Sequence, residues 1–414
     1  MQAAKGVLRD AAWLDEARAR RVCGLALVVT IAAVLGLVAT GDGFRDVAGR
    51  PIGTDFFSFW SAGALMQDAG AAAAYNLQAQ YGLHERLLGP DPHFYPYLYP
   101  PPFLVLAAGF SALPYLAAWS AWTAATFAAY LGAIRAIIPN KTALLAAAAF
   151  PAAFLNAAHG QTALLTAALL GGALAVLPRR PLLAGVLIGA LIFKPQAALL
   201  VPVALAAGGY WRAIGAAAGA LTAVLALTTL AYGADIWTAY GATAEFTRTH
   251  IVEQGGGAFY KMQTLFGALR GWGVAVAPAY AAQAALGVAA GLGVAVVWRD
   301  RAAPFEAKAA VLLIGGLLAT PYAMDYDLLM LAPAGAFLAR RALREGFGPY
   351  ERAALAFAWC APFIARTGAQ ATSLPIGLLA VALVFVSAVY VARRPSRPAA
   401  QPGRHPTSGP IAAP

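Results

Sequence analysis

Charge is scarce in this sequence. Only 11% of its 414 residues are Asp, Glu, Lys or Arg, while 61% are hydrophobic. A water-soluble domain carries roughly a quarter charged residues. A chain this apolar could not clothe a soluble surface, and lipid is the solvent that fits. Acids are scarcer than bases: 18 Asp and Glu against 29 Lys and Arg give a formal net charge of +11. In a membrane chain that surplus is chiefly an orientation signal. No basic run with interleaved aromatics points to a nucleic-acid partner. Cysteine is nearly missing. Cys23 and Cys360 lie far apart in apolar segments, which argues against a disulfide framework and excludes a metal site built on cysteine. His84, His93, His159 and His250 lack the spacing of metal ligands. No metal and no cofactor is expected.

What the chain does have is long apolar runs. They fall at 22–40, 101–112, 115–137, 142–158, 161–177, 182–193, 196–207, 211–232, 274–298, 307–322, 326–340, 351–366 and 373–392. At roughly 20 residues per crossing, they predict an all-α polytopic membrane protein of about 12 transmembrane helices. The run 101–112 is short and suits an interfacial or re-entrant helix. Arg18, Arg20 and Arg21 precede the first run, and no small-residue cleavage site follows it, so it reads as a retained helix. One transmembrane domain is expected over 1–392. Its first outer loop, 41–99, is large and carries interfacial helices. The Pro/Ala/Arg-rich stretch 393–414 reads as a disordered cytoplasmic tail.

The break at Lys194-Pro195 sets the topology. Proline disfavours helix just before it, and a lysine at bilayer depth is costly. Residues 182–193 and 196–207 therefore read as two short helices meeting at a tip, with Lys194 at the membrane surface or in a wet cavity. With a cytoplasmic N-terminus, all but eight of the 29 basic residues then fall inside. The eight are Arg45, Arg50, Arg86, Lys194, Arg248, Lys261, Arg270 and Arg366. That asymmetry is the positive-inside pattern, and it would collapse without the split.

Under this topology the outer side collects the unusual residues. Asp42, Asp46, Asp68, Glu85 and Asp91 read as ordinary solvated loop acids. Asp55 differs, because it sits in the run Gly53-Thr54-Asp55-Phe56-Phe57-Ser58-Phe59-Trp60. The rings are expected to lie on the bilayer and hold Asp55 beside a lipid-borne substrate as a base. The competing reading makes Asp55 a helix N-cap. The run Phe94-Tyr95-Pro96-Tyr97-Leu98-Tyr99-Pro100 is a stiff interfacial elbow whose tyrosines could line a sugar or lipid site. Helix tips supply His159, Gln161, Lys194, Lys261, Arg270, Tyr322, Asp325 and Asp327. Together they would ring one outward pocket, whose cations suit a bound phosphate. Asp325 and Asp327, two residues apart, are only a weak divalent-ion signal.

Read in order, these segments resemble glycosyltransferase family 87 of the C-type membrane glycosyltransferase superfamily. That family includes polyprenyl-phosphate-mannose-dependent mannosyltransferases. The resemblance rests on DFFSFWSAG with Asp55, Trp60 and Gly63, then YPYLYPPPF, HGQTALLTAALL, AGVLIGALIFKPQAALLVPVALA and TPYAMDYDLLML, across roughly residues 50–340. It implies transfer of a hexose, chiefly mannose, from a polyprenyl-phosphate sugar to a lipid or glycan acceptor on the outer face of a bacterial inner membrane. It implies Asp55 as the general base of an inverting reaction. The departing phosphate would meet Lys194 first, then Arg270 and Lys261. His159 and Gln161 would hydrogen-bond sugar or phosphate, and Asp325 or Asp327 would bind sugar hydroxyls or orient the acceptor. A lipid-linked sugar flippase or secondary transporter is the alternative, favoured only by the Lys194 break. A membrane scaffold is a third reading, with no wet pocket.

Overall fold

The computed structural model describes residues 2–256 and 258–394, and these form helices without strands. The first part of the chain gives α1 (Gln2–Asp10), α2 (Glu16–Ala39), α3 (Thr54–Ala69), α4 (Leu77–Leu88), α5 (Leu104–Ser111), α6 (Tyr115–Ile137), α7 (Lys141–Ala148), α8 (Pro151–His159) and α9 (Ala163–Val176). The middle gives α10 (Pro181–Gly189), α11 (Val201–Ala207), α12 (Trp211–Tyr232), α13 (Asp235–Phe246), α14 (Leu265–Gly271) and α15 (Val276–Arg299). The last are α16 (Phe305–Ala319), α17 (Leu331–Glu345), α18 (Glu351–Thr372) and α19 (Ile376–Arg393).

Helices α2, α12, α15 and α19 are long and apolar enough to cross a bilayer. This makes the chain a membrane protein. A fifth candidate is the pair α7 and α8, bent by 43°. The sequence pattern suggests one straight run at 142–158. Pro151 opens α8 at its first position, where its ring fits a helix start but cannot continue the helix before it. Arg393, expected in the tail, is the last residue of α19; residues 395–414 of the expected tail lie outside the described residues.

One hydrophobic core runs from Ile52 to Ala392. Helix α16 forms its axis, with every residue from Glu306 to Ala319 buried except Lys308. It is apolar all round after its first turn, as a helix packed on all sides must be. At the end where α16 begins, Glu306 receives both Arg340 and Arg344 of α17. Arg341 donates to the Val391 carbonyl at 2.6 Å and closes the end of α19. Basic side chains thus gather with their acids at this end. The other end carries Asp55.

The segment 181–207 turns back on itself. Helix α10 leads through a short turn to Lys194, and Pro195 starts the return to α11. Gly185 and Gly189 let α10 lie against α12, where a Cβ would sit 2.4 Å from the Ala213 carbonyl and 2.7 Å from Ala220. Small residues allow this contact between apolar helices. At the far end of the return, Tyr210 meets Trp298 edge to face.

The expected loop 41–99 is largely helical, and its rings do not lie on the bilayer. Phe56, Phe57 and Phe59 have no exposure. They pack on Phe110, Tyr115, Tyr99 and Phe103. The physical reason is Gly63, whose missing side chain admits α5. A Cβ there would lie 2.0 Å from the Ala107 carbonyl. Helices α3 and α5 therefore close over the rings and bury them in protein instead of lipid.

Helix α4 fastens to this layer through His84. Its ring is fully buried, 4.8 Å from the Phe57 ring, with Nε2 at 3.2 Å from the Ser61 hydroxyl. Ser61 already donates to the Phe57 carbonyl at 2.6 Å, so His84 is the donor of that pair. Burial holds the His84 pKa down to about 4, from 6.5. The fold accepts the neutral ring only. Stability from this site is therefore whole above pH 6.5 and declines as pH falls toward 4, by at most about 3 kcal/mol. Thermal unfolding in nanodiscs between these pH values should show the decline in the native chain and a shallower one in His84→Phe. An identical slope in both would assign the effect to other groups.

Candidate active site

The site is built on the meeting of two helix ends. Helix α8 stops at Gly160, which takes φ +64°. Gly160 N–H bonds the Ala157 carbonyl and Gln161 N–H the Asn156 carbonyl, the pairing of a Schellman motif. Two indoles of α6 hold this turn from behind. Trp119 donates to the Ala157 carbonyl at 3.2 Å and Trp122 to the Gly160 carbonyl at 3.0 Å. A Cβ on Gly160 would lie 2.4 Å from the Phe56 Cβ. Glycine therefore lets the start of α3 press directly on the end of α8.

That contact sets the side chains. Thr54 Oγ1 lies 2.7 Å from His159 Nδ1, and Gln161 donates to Asp55 Oδ2 at 3.0 Å. Gln161 is itself fixed on every side. Its carbonyl accepts from the Tyr99 hydroxyl and from the Thr162 N–H at 2.7 Å, and its amide also reaches the Tyr326 hydroxyl at 3.2 Å. Asp55 is not an N-cap: Gly53 holds that position, and Asp55 lies in the first turn of α3. There its charge meets the positive end of the helix.

Two buried ion pairs flank this group. Lys194 pairs with Asp327, and its ammonium lies 5.3 Å from the centre of the Tyr326 ring. Arg366 pairs with Asp325 and reaches His159 Nε2 at 3.1 Å. Both acids sit on the turn Asp325–Met330 between α16 and α17. Asp327 also accepts the Met324 N–H at 3.0 Å, and Asp325 the Tyr326 N–H at 2.9 Å. A small cavity beside this turn is lined by Lys194, Asp327, Tyr322, Thr320, Thr166 and Gln196, among others.

Of Lys194, Arg366 and Lys261, the last has no carboxylate partner among the described residues. It is half-buried on the turn Phe259–Lys261. The next residues are stitched to the far side of the site: Gln263 N–H bonds the Ala323 carbonyl at 2.8 Å and Thr264 the Pro321 carbonyl at 3.0 Å. Burial, and then the charge of Arg366, hold the Lys261 pKa below the usual lysine range, while Asp325 and Asp55 oppose that shift. A bound anion would relieve the strain on this ammonium.

The structure brings Asp55, His159, Gln161, Tyr99, Tyr322, Lys194, Lys261, Asp325 and Asp327 to one end of the bundle. Tyr95 stands at its edge, against Phe57 and His93. Five expected placements differ in the structure. Arg270 is not a free cation, because it donates to the Glu253 and Val274 carbonyls and covers Phe259. Trp60 donates to the Leu113 carbonyl at 3.1 Å and clamps α3 to the turn before α6. Asp325 has no exposure and both oxygens are bonded within the protein. Lys194 is only 6% exposed and already neutralised. Asp55 does not line the Lys194 cavity; Gln161 and Tyr326 link the two. Among the described residues, no three His, Cys, Asp or Glu gather as metal ligands.

Arg366 is the site residue the sequence reading passed over. By run length alone it is an outer cation at the end of 351–366. Helix α18 in fact continues to Thr372, which puts Arg366 within a long helix. The run 353–365 before it holds no charge, and an ionisable residue against such a run is the signal that could have found it.

Removing one partner of a buried pair leaves an uncompensated charge, at a cost of roughly 3–5 kcal/mol. Lys194→Met should therefore lower the unfolding midpoint in nanodiscs far more than Lys194→Met with Asp327→Asn. A double variant no more stable than the single one would show that the pair is not what Lys194 contributes.

Residues 97–321 match the model of glycosyltransferase family 87. The match covers more than half of the chain. It includes Tyr99, His159, Gln161, Lys194 and Lys261, and leaves Asp55, Asp325, Asp327 and Arg366 outside. No curated protein and no solved structure matches the chain. The chain belongs to family 87 and is a glycosyltransferase.

Proposed function

We propose that this family 87 glycosyltransferase moves a hexose, with mannose the first candidate, from a polyprenyl-phosphate donor to a glycolipid or glycan acceptor. The reading includes inversion at the anomeric centre, a C-type fold of about 12 crossings and a site on the outer face of the bacterial inner membrane. The basic cluster around Arg340, Arg341, Arg344 and Arg394 lies opposite the site. That supports a cytoplasmic N-terminus and an outward site.

One observation carries the reaction. The acids Asp325 and Asp327 are spent on Arg366 and Lys194. Asp55 and Lys261 are left without an opposite charge bound, among the described residues. Asp55 has one oxygen oriented by Gln161 and the other without a partner among the described residues. A base needs such an oxygen to take a proton. The acceptor hydroxyl gives its proton to Asp55 while its oxygen bonds the anomeric carbon. The bond to the lipid phosphate breaks on the opposite face, and the electron pair leaves with the phosphate. Lys261 is better placed than Lys194 to receive that charge, since it carries no carboxylate of its own. A preorganised cation facing a developing anion is among the larger contributions to catalysis. Tyr99, Tyr322 and Tyr95 offer faces and hydroxyls to the sugar or lipid.

In proteoliposomes supplied with synthetic polyprenyl-phosphate mannose, Asp55→Asn should fold but lose transfer by roughly 10²–10⁴-fold. Lys261→Met should lower kcat on the order of 10²-fold. Full transfer by Asp55→Asn would remove Asp55 from the mechanism. Movement of the donor across the bilayer without transfer would favour the flippase alternative.

A further inference from the structure

The interaction of Arg366 with His159 goes beyond an ion pair. A guanidinium has only donors to offer. Its Nη2 lies 3.1 Å from His159 Nε2, so that ring nitrogen must present its lone pair. The ring proton then sits on Nδ1 and is donated to Thr54 Oγ1 at 2.7 Å. Thr54 is the first residue of α3, next to Asp55. On the same α8 turn, Gln161 grips Asp55 itself. Two side chains of one turn thus hold two consecutive residues of α3.

The geometry points to Arg366 as a positioning residue that locks His159 in its neutral Nδ1–H tautomer, so that His159 fixes the first turn of α3 and the direction of Asp55. The groups facing His159 are Asp55 and Thr54 from α3, Arg366 from α18, Asp325 and Tyr326 from the turn before α17, and Lys261 from the 259–261 turn. A second proton on Nε2 would point at the guanidinium and break the contact. Asp325 holds Arg366 in place from the other side. The chain Asp325, Arg366, His159, Thr54 therefore runs unbroken from a fully buried carboxylate to the neighbour of Asp55. The catalytic consequence rests on the proposed role of Asp55 as base; the tautomer lock does not.

The test uses ¹⁵N-histidine spectra of the full chain in lipid, with His159→Gln identifying the signal among five histidines. His159 should stay neutral with its proton on Nδ1 from pH 5 to 8. In Arg366→Lys, a lysine can keep the charge opposite Asp325 but lacks the fork that reaches both partners. There the Nδ1–H signature should give way to a tautomer mixture or a titrating ring. Thr54→Val, which leaves the Arg366–Asp325 pair intact, should lower kcat by roughly 10-fold to 10²-fold with little change in KM. Thr54→Ser should recover most of that rate. An Nε2–H ring or an ordinary titration in the native chain would overturn the lock. So would an unchanged spectrum in Arg366→Lys, and a Thr54→Val enzyme at full rate would overturn its effect on Asp55. The expected spectrum together with full transfer by Asp55→Asn would instead refute the reading of Asp55 as base and leave the lock standing.

Discussion

Two buried ion pairs decide how the rest of this bundle is arranged. Lys194 with Asp327 and Arg366 with Asp325 converge on one short turn between α16 and α17. Charges out of water must be paired and hydrogen-bonded or the fold does not tolerate them. Here the backbone donors of Met324 and Tyr326 complete each carboxylate. The turn consequently ties the hairpin tip at Lys194, the long helix α18 and the core helix α16 to one point. Buried pairs are weak evidence for net stability, but they specify which elements meet.

Pairing at that turn gives the site its chemical polarity. Three acids and three bases gather there, and two of each are mutually neutralised. What is left is one carboxylate and one ammonium, on separate elements, α3 and the turn before α14. Neither belongs to the central turn, so each can be aimed by its own neighbours. Gln161 aims Asp55, and the stitching of residues 263–264 to 321–323 aims Lys261. A rigid, internally neutral frame carrying two unpaired groups of opposite sign suits a reaction that removes a proton at one place and releases an anion at another.

Much of this was legible in the sequence, and the failures have physical causes. The hairpin at Lys194-Pro195 was readable because a charge and a helix breaker interrupt an apolar run together. Most helix positions followed from the lengths of apolar runs. Asp55 stands out in the sequence by its aromatic surroundings, but those rings point to lipid there and to protein in the structure. Phe56, Phe57 and Phe59 look like lipid anchors until Phe110 and Tyr115 are known to lie on them, and nothing local announces partners that distant. Arg366 was missed because a charge was taken to end a helix. In fact α18 ends later, at Ser373, which takes φ +59°. Arg270 and Trp60 have suitable side chains at plausible places, yet nearby backbone carbonyls claim them first.

The Lys194–Asp327 contact spans 133 residues of chain. During synthesis the lysine therefore emerges long before its counter-charge exists. An ammonium cannot wait in hydrocarbon without cost, and an irregular turn like Leu191–Pro195 cannot face lipid unprotected. The hairpin must then rest near water or headgroups until the turn carrying Asp327 arrives. Helix insertion in this protein is thus ordered by electrostatics, with the hairpin tip seated late, as a keystone dropped into walls already raised.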